Sequence, residues 1–150
     1  MAFGYRYKLE RQVNGWWMVR FPSVPEALTE GETEAEARAN ALDCVIAALE
    51  GYMKLGRALP RDSERRWSGD RAVLPSLVTA KLAVYETMRA RGWSKLRLAK
   101  ELGMPENSIR RLLDLRHSSR MQAIDQALAK MNAELQVDLP RAEPQGKAAA

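Results

Sequence analysis

The residues of this sequence with the clearest chemical potential lie between positions 106 and 111. Four of them have side chains that can hydrogen-bond to base edges in the major groove of DNA: Glu106, Asn107, Arg110 and Arg111. At helical periodicity these positions fall on one side of a helix, opposite the apolar Ile109 and Leu112. Arginine pairs with guanine through two hydrogen bonds and asparagine does the same with adenine, so the pattern predicts base reading by this helix.

Two short helices joined at a glycine are predicted to hold these side chains. Ser94 can cap the first helix, and Gly103 falls at the turn, where the backbone adopts a positive φ that glycine tolerates without strain. Pro105 then occupies a first helical position, where no N–H is needed. The apolar stripe of the pair consists of Leu98, Ala99, Leu102, Ile109 and Leu112. This spacing is typical of a helix-turn-helix, although any amphipathic helix pair with a solvated arginine-rich face gives a similar pattern.

Residues on either side of this helix pair are candidates for contacts with DNA phosphates: Ser94, Lys95, Arg116, Ser118, Ser119 and Arg120. The last three precede a helix predicted from the S-x-x-Q capping box of Ser119 and Gln122. The free N–H groups at a helix N-terminus bind anions, so this point favours a phosphate. His117, the single histidine, is expected to contact solvent or a phosphate.

Charge is distributed unevenly along the chain. Residues 1–55 carry 6 Lys and Arg against 8 Asp and Glu, a net charge of −2, whereas residues 56–139 carry 16 against 10, a net charge of +6. The last eleven residues add +1, which gives the total of +5. An acidic first third and a basic remainder predict two units with different partners, the basic one facing phosphate.

The composition places the chain among cytoplasmic proteins that span no membrane. It has no run of about 18 apolar residues and no apolar segment at the N-terminus that resembles a signal peptide. Its single cysteine, Cys44, excludes an intrachain disulfide, which fits a reducing compartment, and is expected to be a buried, inert thiol.

The N-terminal part reads as strands joined by short turns. Residues 5–11 alternate between polar and apolar types, and the Asn-Gly pair at 14–15 is the strongest short signal for a hairpin turn. Residues 16–21 supply a second β-rich run. A third short strand is expected over 27–29, ended by Gly31.

A helix follows these strands. Thr33 and Glu36 form a T-x-x-E capping box that begins a helix of about twenty residues. A closing strand is expected near 72–75, so the order is β-β-β-α-β and the fold class is α+β. The expected organisation is an N-terminal domain over 1–56, to which that closing strand belongs, and a linker over 57–75.

The second domain is expected over residues 76–139. Apart from the helix pair, it contains a helix capped by Ser76 and the helix that follows Ser119. Residues 134–139 alternate as a strand without an evident partner in their own domain, which predicts that the strand pairs with its copy in a homodimer or larger oligomer. Its dimerisation residues are Leu135, Val137 and Leu139. The tail over 140–150 is expected to be disordered.

The sequence offers no constellation for catalysis. A two-metal nuclease of the RNase H type needs several carboxylates that converge from separate strands and a helix. Glu10 is the one acidic residue on the first predicted strand, and the second and fourth strands have none. With a single histidine there is no histidine-based metal or acid-base site. We therefore expect no enzyme activity, no metal site and no cofactor.

The N-terminal segment resembles a known family at specific points. The proline-flanked third strand, the G-x-T turn and the alanine-rich helix resemble those of HicB antitoxins from HicA and HicB toxin-antitoxin pairs. The points that carry the resemblance are Pro25, Gly31, Thr33, Ala37 and Ala41. The likeness covers about residues 5–139 and is specific through its combination with the helix-turn-helix downstream.

This resemblance implies an architecture and a function. Such antitoxins have a truncated RNase H-like α+β domain that binds a small toxin, a ribonuclease with a double-stranded-RNA-binding fold and a catalytic histidine, and covers its active surface. A second domain binds the operator of the pair's own promoter, through a helix-turn-helix in the branch that this sequence resembles. The implied partners are a HicA-type toxin and double-stranded operator DNA.

Candidate toxin contacts follow from the charge of a ribonuclease, which must be basic to hold RNA. Acidic residues cluster around the third strand and the start of the helix, and two adjacent tryptophans occupy the second strand. The candidates are Trp16, Trp17, Glu26, Glu30 and Glu32. For Glu34 and Glu36, a favourable interaction with the helix dipole explains the position better. The sequence does not decide which tryptophan is exposed.

These observations predict an antitoxin that neutralises its toxin and represses its own operon. The alternative is a ligand-sensing helix-turn-helix repressor without a toxin partner, although no convergent polar residues mark a pocket for an effector. The two hypotheses differ in a simple observation, because an antitoxin is expected to co-purify with the product of a short, basic neighbouring open reading frame.

Overall fold

The computed structural model describes residues 4–62 and 69–138 and confirms the α+β class, with strands first and helices after them. The strands are β1 (Gly4–Arg6), β2 (Lys8–Arg11), β3 (Trp17–Arg20), β4 (Leu28–Gly31) and β5 (Arg71–Val73). The helices are α1 (Glu34–Lys54), α2 (Ser76–Arg91), α3 (Lys95–Leu102), α4 (Glu106–Leu113) and α5 (Met121–Lys130). No helix within the described ranges is long and apolar enough to cross a membrane.

The strands form two small antiparallel sheets. Strands β2, β3 and β4 lie side by side in that order, and β1 pairs with β5. The prediction of one strand over 5–11 is therefore wrong at Tyr7, where the chain leaves one sheet for the other. Tyr7 donates its N–H to the carbonyl of Asp70 and packs its buried ring against Phe21, with ring centroids 5.6 Å apart.

The predicted hairpin turn is confirmed between β2 and β3. Gly15 has a φ of 88°, and the Gln12 N–H donates to the Trp16 carbonyl at 2.7 Å. The Asn14 side chain accepts from the Trp16 N–H at 3.0 Å. The turn thus sets the register in which Leu9 faces Val19.

Helix α1 packs across the three-stranded sheet and begins at the predicted capping box. The Thr33 hydroxyl accepts from the Glu36 N–H at 3.1 Å, and the Glu36 carboxylate reaches back to the Glu32 N–H at 2.9 Å. The apolar face of the helix supplies much of the core through Val45 and Leu49, which are fully buried. This burial is the main source of stability for the N-terminal unit.

The sequence predicted that the third strand stops before Gly31. In the structure Gly31 is instead the last residue of β4. Its backbone lies so close to α1 that a Cβ atom there would stand 2.5 Å from the Ala37 nitrogen. A side chain at this position would push the helix away from the sheet, so glycine is required for close approach.

The segment after α1, predicted as a linker, is packed over residues 57–62. The Arg6 side chain and backbone both donate to the Asp62 carboxylate, at 2.5 and 2.7 Å. On the other side, the Tyr85 hydroxyl of α2 donates to the Arg57 carbonyl at 2.8 Å, and the Leu59 N–H donates to the carboxylate of Glu86 at 3.0 Å. These residues therefore hold the strands against α2.

The C-terminal unit consists of four helices. Helix α2 packs against α4 and α5, and α3 packs against α4 and α5. The predicted turn between α3 and α4 is confirmed, because Gly103 ends α3 with a φ of 64°. Ser94 caps α3 as expected, since its hydroxyl accepts from the Arg97 N–H at 3.1 Å.

Two other predicted caps are wrong. Ser76 lies inside the first turn of α2, whose cap position is taken by Pro75. Helix α5 has Arg120 at its cap position and no side-chain cap bond. The Ser119 hydroxyl instead lies 3.3 Å from the ring nitrogen Nδ1 of His117.

The predicted C-terminal strand needs a second copy of the chain as its partner, and it stays a prediction. Residues 134–138 form no strand and no backbone hydrogen bond with another described residue, so the segment lacks the neighbour that a strand requires. Leu135 packs partly against the core, whereas Val137 is 80% exposed. Leu139 and the tail over 140–150 lie outside the described residues.

One buried lysine connects α2 to the end of α4. Lys81 is fully buried, and its ammonium donates to the carbonyl oxygens of Arg111, Asp114 and His117 at 3.2, 2.5 and 2.6 Å. The Arg111 and Asp114 carbonyls also accept from the N–H groups of Asp114 and His117, both at 3.2 Å, so the ammonium is a second donor to these two oxygens. Burial lowers the pKa of Lys81, and the nearby charge of Asp114 opposes this shift.

Replacing Lys81 with methionine should destabilise the protein by about 3 kcal/mol, because three carbonyl groups would lose a buried donor. The measurement is urea denaturation followed by circular dichroism. Lys130→Met, at an exposed position of α5, is the control and should stay within about 0.5 kcal/mol of the wild type. An unchanged unfolding midpoint for Lys81→Met would show that the carbonyls find other donors.

Candidate functional site

The residues predicted to read bases lie together on α4. Asn107, Arg110 and Arg111 are exposed, while the opposite side of the helix is buried through Ile109, Leu112 and Leu113. The exposed face is therefore held in place by the packing of the buried one. These side chains have the donors and the reach that contact with base edges requires.

Glu106 differs from the other three residues of this set. It is half-buried, and its carboxylate accepts from the Arg110 guanidinium at 3.1 Å, one helical turn away. The Arg110 side chain is still 64% exposed. Glu106 thus orients Arg110 along the helix, and the pair is accessible enough to be exchanged for contacts with a partner.

The residues predicted for phosphate contacts fall into two groups. Ser118, Ser119 and Arg120 line a concavity of about 480 Å³ together with Arg111 and His117. Lys95, at the start of α3, instead lines a cleft of about 370 Å³ with Arg110. Ser94 caps α3 next to it. Basic or hydroxyl side chains therefore stand on both sides of the exposed face of α4.

Arg116 is placed differently from the other candidates. Its guanidinium crosses to α1, where it forms ion pairs with Asp43 and Glu50, the latter at 2.9 Å. The hydrogen bonds to these two carboxylates raise the pKa of Arg116. A phosphate would have to displace Asp43 and Glu50 before it could bind this side chain.

Lys81 is the residue that sequence reasoning missed. It touches none of the exposed side chains of α4, but its ammonium binds the backbone of Arg111 in the last turn and the backbone of Asp114 and His117 in the segment that leads to Ser118. The signal was its position four residues from both Leu77 and Tyr85, which places a lysine on the apolar side of α2. A lysine at such a position needs several acceptors before it can be buried.

The predicted toxin contacts lie on the N-terminal unit. Trp16 and Trp17 are both half-buried, but Trp17 packs against the core from β3, whereas Trp16 belongs to the hairpin turn. Glu30 and Glu32 are exposed and form no ion pair with any described residue. Trp16, Glu30 and Glu32 therefore remain accessible.

Glu26 is exposed but has partners within the chain. Its carboxylate accepts from the Tyr52 hydroxyl at 2.8 Å and lies 3.7 Å from the Arg57 guanidinium. The Tyr52 hydrogen bond, with a smaller contribution from the charge of Arg57, lowers the pKa of Glu26. Glu26 is therefore ionised at neutral pH.

The described part of the chain contains no arrangement that suggests metal or thiol chemistry. No group of three or more His, Cys, Asp or Glu side chains within 4–62 and 69–138 could hold a metal ion. Cys44 is half-buried on α1, and burial raises the pKa of its thiol. A protonated, partly buried thiol is a poor nucleophile.

Comparison with known proteins agrees with the sequence resemblance. Residues 4–83 match the family model of the HicB-like antitoxin of bacterial toxin-antitoxin systems. Antitoxin HicB 2 of Photorhabdus laumondii is 34% identical over 134 residues, which cover 89% of this chain and 94% of that protein. Antitoxin HicB of Escherichia coli K12 is 30% identical over 131 residues, which cover 87% of this chain and 95% of that protein.

A further relative extends this agreement. Antitoxin HicB of Pseudomonas fluorescens is 28% identical over 132 residues, which cover 87% of this chain and 90% of that protein. The alignments with these antitoxins span nearly the whole length of each relative. The resemblance predicted from the sequence is therefore confirmed, and the chain belongs to the HicB-like antitoxins of bacterial toxin-antitoxin systems, a family without enzyme activity.

Proposed function

We propose that this antitoxin neutralises a small ribonuclease toxin of the HicA type and represses its own operon in the cytoplasm. The N-terminal unit binds the toxin, and the α3–α4 pair acts as a helix-turn-helix on operator DNA. The observation that carries the DNA-binding part is the exposed set Asn107, Arg110 and Arg111, with Ser118, Ser119 and Arg120 around a concavity beside Arg111.

The chemistry of α4 suits a recognition helix. Arg110 and Arg111 can each donate two hydrogen bonds to a guanine, and Asn107 can pair with an adenine. Glu106 orients Arg110 and can accept from a cytosine amino group. Phosphate contacts fall to Ser94, Lys95, Ser118, Ser119 and Arg120, which fix the register on the duplex without reading sequence.

The toxin-binding part rests on charge and accessibility. A ribonuclease that grips RNA is basic, and residues 1–55 carry a net charge of −2 while the rest of the chain is basic. The contacts are assigned to Trp16, Trp17, Glu26, Glu30 and Glu32, of which Trp16 supplies an accessible aromatic anchor. The strands and α1 then correspond to the truncated RNase H-like domain that the family resemblance implies.

We assign dimerisation to the C-terminal segment. Operator half-sites are read in pairs, so a helix-turn-helix acts as a homodimer or a higher oligomer. Val137 leaves apolar surface exposed at the end of the described chain, next to Leu135 on the core. A second copy that covers Leu135, Val137 and Leu139 would remove this surface from water.

Replacing Arg111 with alanine should weaken operator binding by roughly 1 to 3 kcal/mol and relax the preference at one base pair, because a base contact is lost. Lys95→Ala should weaken binding to all sequences alike. It should also lower the magnitude of the slope of log K against the logarithm of the salt concentration by about one, because one phosphate contact is lost. Fluorescence anisotropy with the pair's own promoter at several salt concentrations measures both effects. Arg89→Ala, which removes an exposed arginine of α2, is the control and should behave like the wild type.

The assignment of α4 as the recognition helix would be withdrawn if Arg111→Ala and Lys95→Ala both bound the promoter like the wild type. Equal weakening by Arg89→Ala would mean that net charge, and not the proposed face, determines affinity.

The toxin-binding assignment predicts a stable complex with the product of the adjacent short, basic open reading frame. Reversing two charges in Glu30→Lys/Glu32→Lys should weaken this complex at least tenfold, since like charges then face the basic toxin. Glu101→Lys/Glu134→Lys is the matched control on the C-terminal unit. Co-expression and pull-down, followed by a titration, provide the test. An effector that alters operator affinity without any second polypeptide would favour a ligand-sensing repressor instead.

A further inference from the structure

A groove of about 600 Å³ lies between β4 and the middle of α1. Leu28 and Thr29 line it on the strand side, and Asn40 and Asp43 line it on the helix side together with Ala47. All residues that line the groove belong to the N-terminal unit and none belongs to α4, so the proposed DNA contacts leave it without a role.

The groove exists because the strand and the helix diverge. At one end Gly31 brings the backbone of β4 against Ala37, which closes the space between them. Further along, three of the side chains on the helix side are short, those of Cys44, Ala47 and Ala48, and they do not fill the gap. The space is thus built into the sheet-helix packing and does not depend on the position of a long side chain.

Strand β4 is an edge strand, because the three-stranded sheet has the order β2, β3, β4 and no described strand pairs with the other side of β4. Its Leu28 side chain is 52% exposed. The Asn40 side chain donates to the Glu30 carbonyl at 3.1 Å and covers one acceptor of the edge. Exposed edges with apolar side chains favour pairing with another strand, and in stable proteins they are usually covered.

The charge of the groove indicates the chemistry of what covers it. Two carboxylates, Glu26 and Asp43, line the groove, and no lysine or arginine does so among the described residues. Glu26 already binds Arg57 and Asp43 already binds Arg116, but these arginine side chains are 54% and 47% exposed. Ion pairs this exposed are weak, so a basic segment that enters the groove can share or replace them.

We propose that this groove receives an extended, basic segment of the toxin, which adds to β4 as a further strand. The inference rests on the proposed function and specifies where the toxin binds. Main-chain hydrogen bonds at Leu28 and Thr29, the part of β4 that lines the groove, would supply the affinity, and cationic side chains next to Glu26 and Asp43 would supply the specificity. Glu30, exposed on the same strand, adds a third carboxylate to this surface.

A substitution that fills the groove tests the proposal. Ala47 is exposed on α1, so Ala47→Arg should fold normally while its long, positive side chain occupies the groove. Its affinity for the product of the adjacent open reading frame, measured by biolayer interferometry, should fall at least tenfold. Ala129→Arg adds the same side chain at an exposed position of α5 and should bind within about twofold of the wild type.

Hydrogen exchange of the wild-type complex gives a second readout that needs no variant. The amides of Leu28 and Thr29 should exchange more slowly with toxin bound than in the free antitoxin, because an added strand protects the edge. The groove proposal would be overturned if Ala47→Arg bound the toxin with full affinity, or if hydrogen exchange across β4 were unchanged in a complex that does form. Either result would leave the proposed function intact. If the wild type forms no complex with the basic polypeptide, the toxin-binding function itself fails, and the groove proposal fails with it.

Discussion

Within the C-terminal unit, the contact between α2 and the end of α4 depends on one buried ammonium group. An isolated charge in the interior is strongly unfavourable, and Lys81 is tolerated there because three carbonyl oxygens compensate for the water it loses. These carbonyls belong to the last turn of α4 and to the segment before α5, so the lysine of α2 holds both at once. The last turn of α4 and the segment before Ser118 are therefore tied to the same residue of α2 through their backbones. The apolar packing of Ile109, Leu112 and Leu113 keeps the opposite face of α4 exposed, and the lysine adds directional contacts at the end of the helix.

The N-terminal unit is organised by close backbone approach. Gly31 lets α1 lie directly on one end of β4, and the buried Val45 and Leu49 anchor the rest of the helix. The close contact at Gly31 fixes one end of the helix on the sheet. At the other end the helix and the strand lie further apart, which leaves the groove open. Acidic side chains border that opening, and one of them, Asp43, also reaches Arg116 of the C-terminal unit. The proposed toxin surface and the helical unit therefore share a carboxylate.

Features that depend on neighbouring residues could be predicted from the sequence, and features that depend on distant partners could not. The hairpin turn at Gly15, the capping box at Thr33 and the turn at Gly103 each follow from a few adjacent side chains, and the structure confirms them. The exposed set on α4 followed from helical periodicity alone. By contrast, the interruption at Tyr7 requires a contact with a residue more than sixty positions away. The same holds for Arg116, whose carboxylate partners lie on α1.

The packing of residues 57–62 bears on how such a chain can exchange its parts during evolution or in protein engineering. Strand β5 completes the N-terminal unit and is followed at once by α2, so no linker separates the two units and the first extends to Leu74. A crossover placed in the apparent linker would separate β1 from its partner strand. A chimaera that keeps both units intact has to join after Leu74, and the incoming helix must still offer a hydroxyl at the place of Tyr85 and an acceptor at that of Glu86. A C-terminal unit of unrelated sequence would have to preserve this pair to keep the contacts with Arg57 and Leu59.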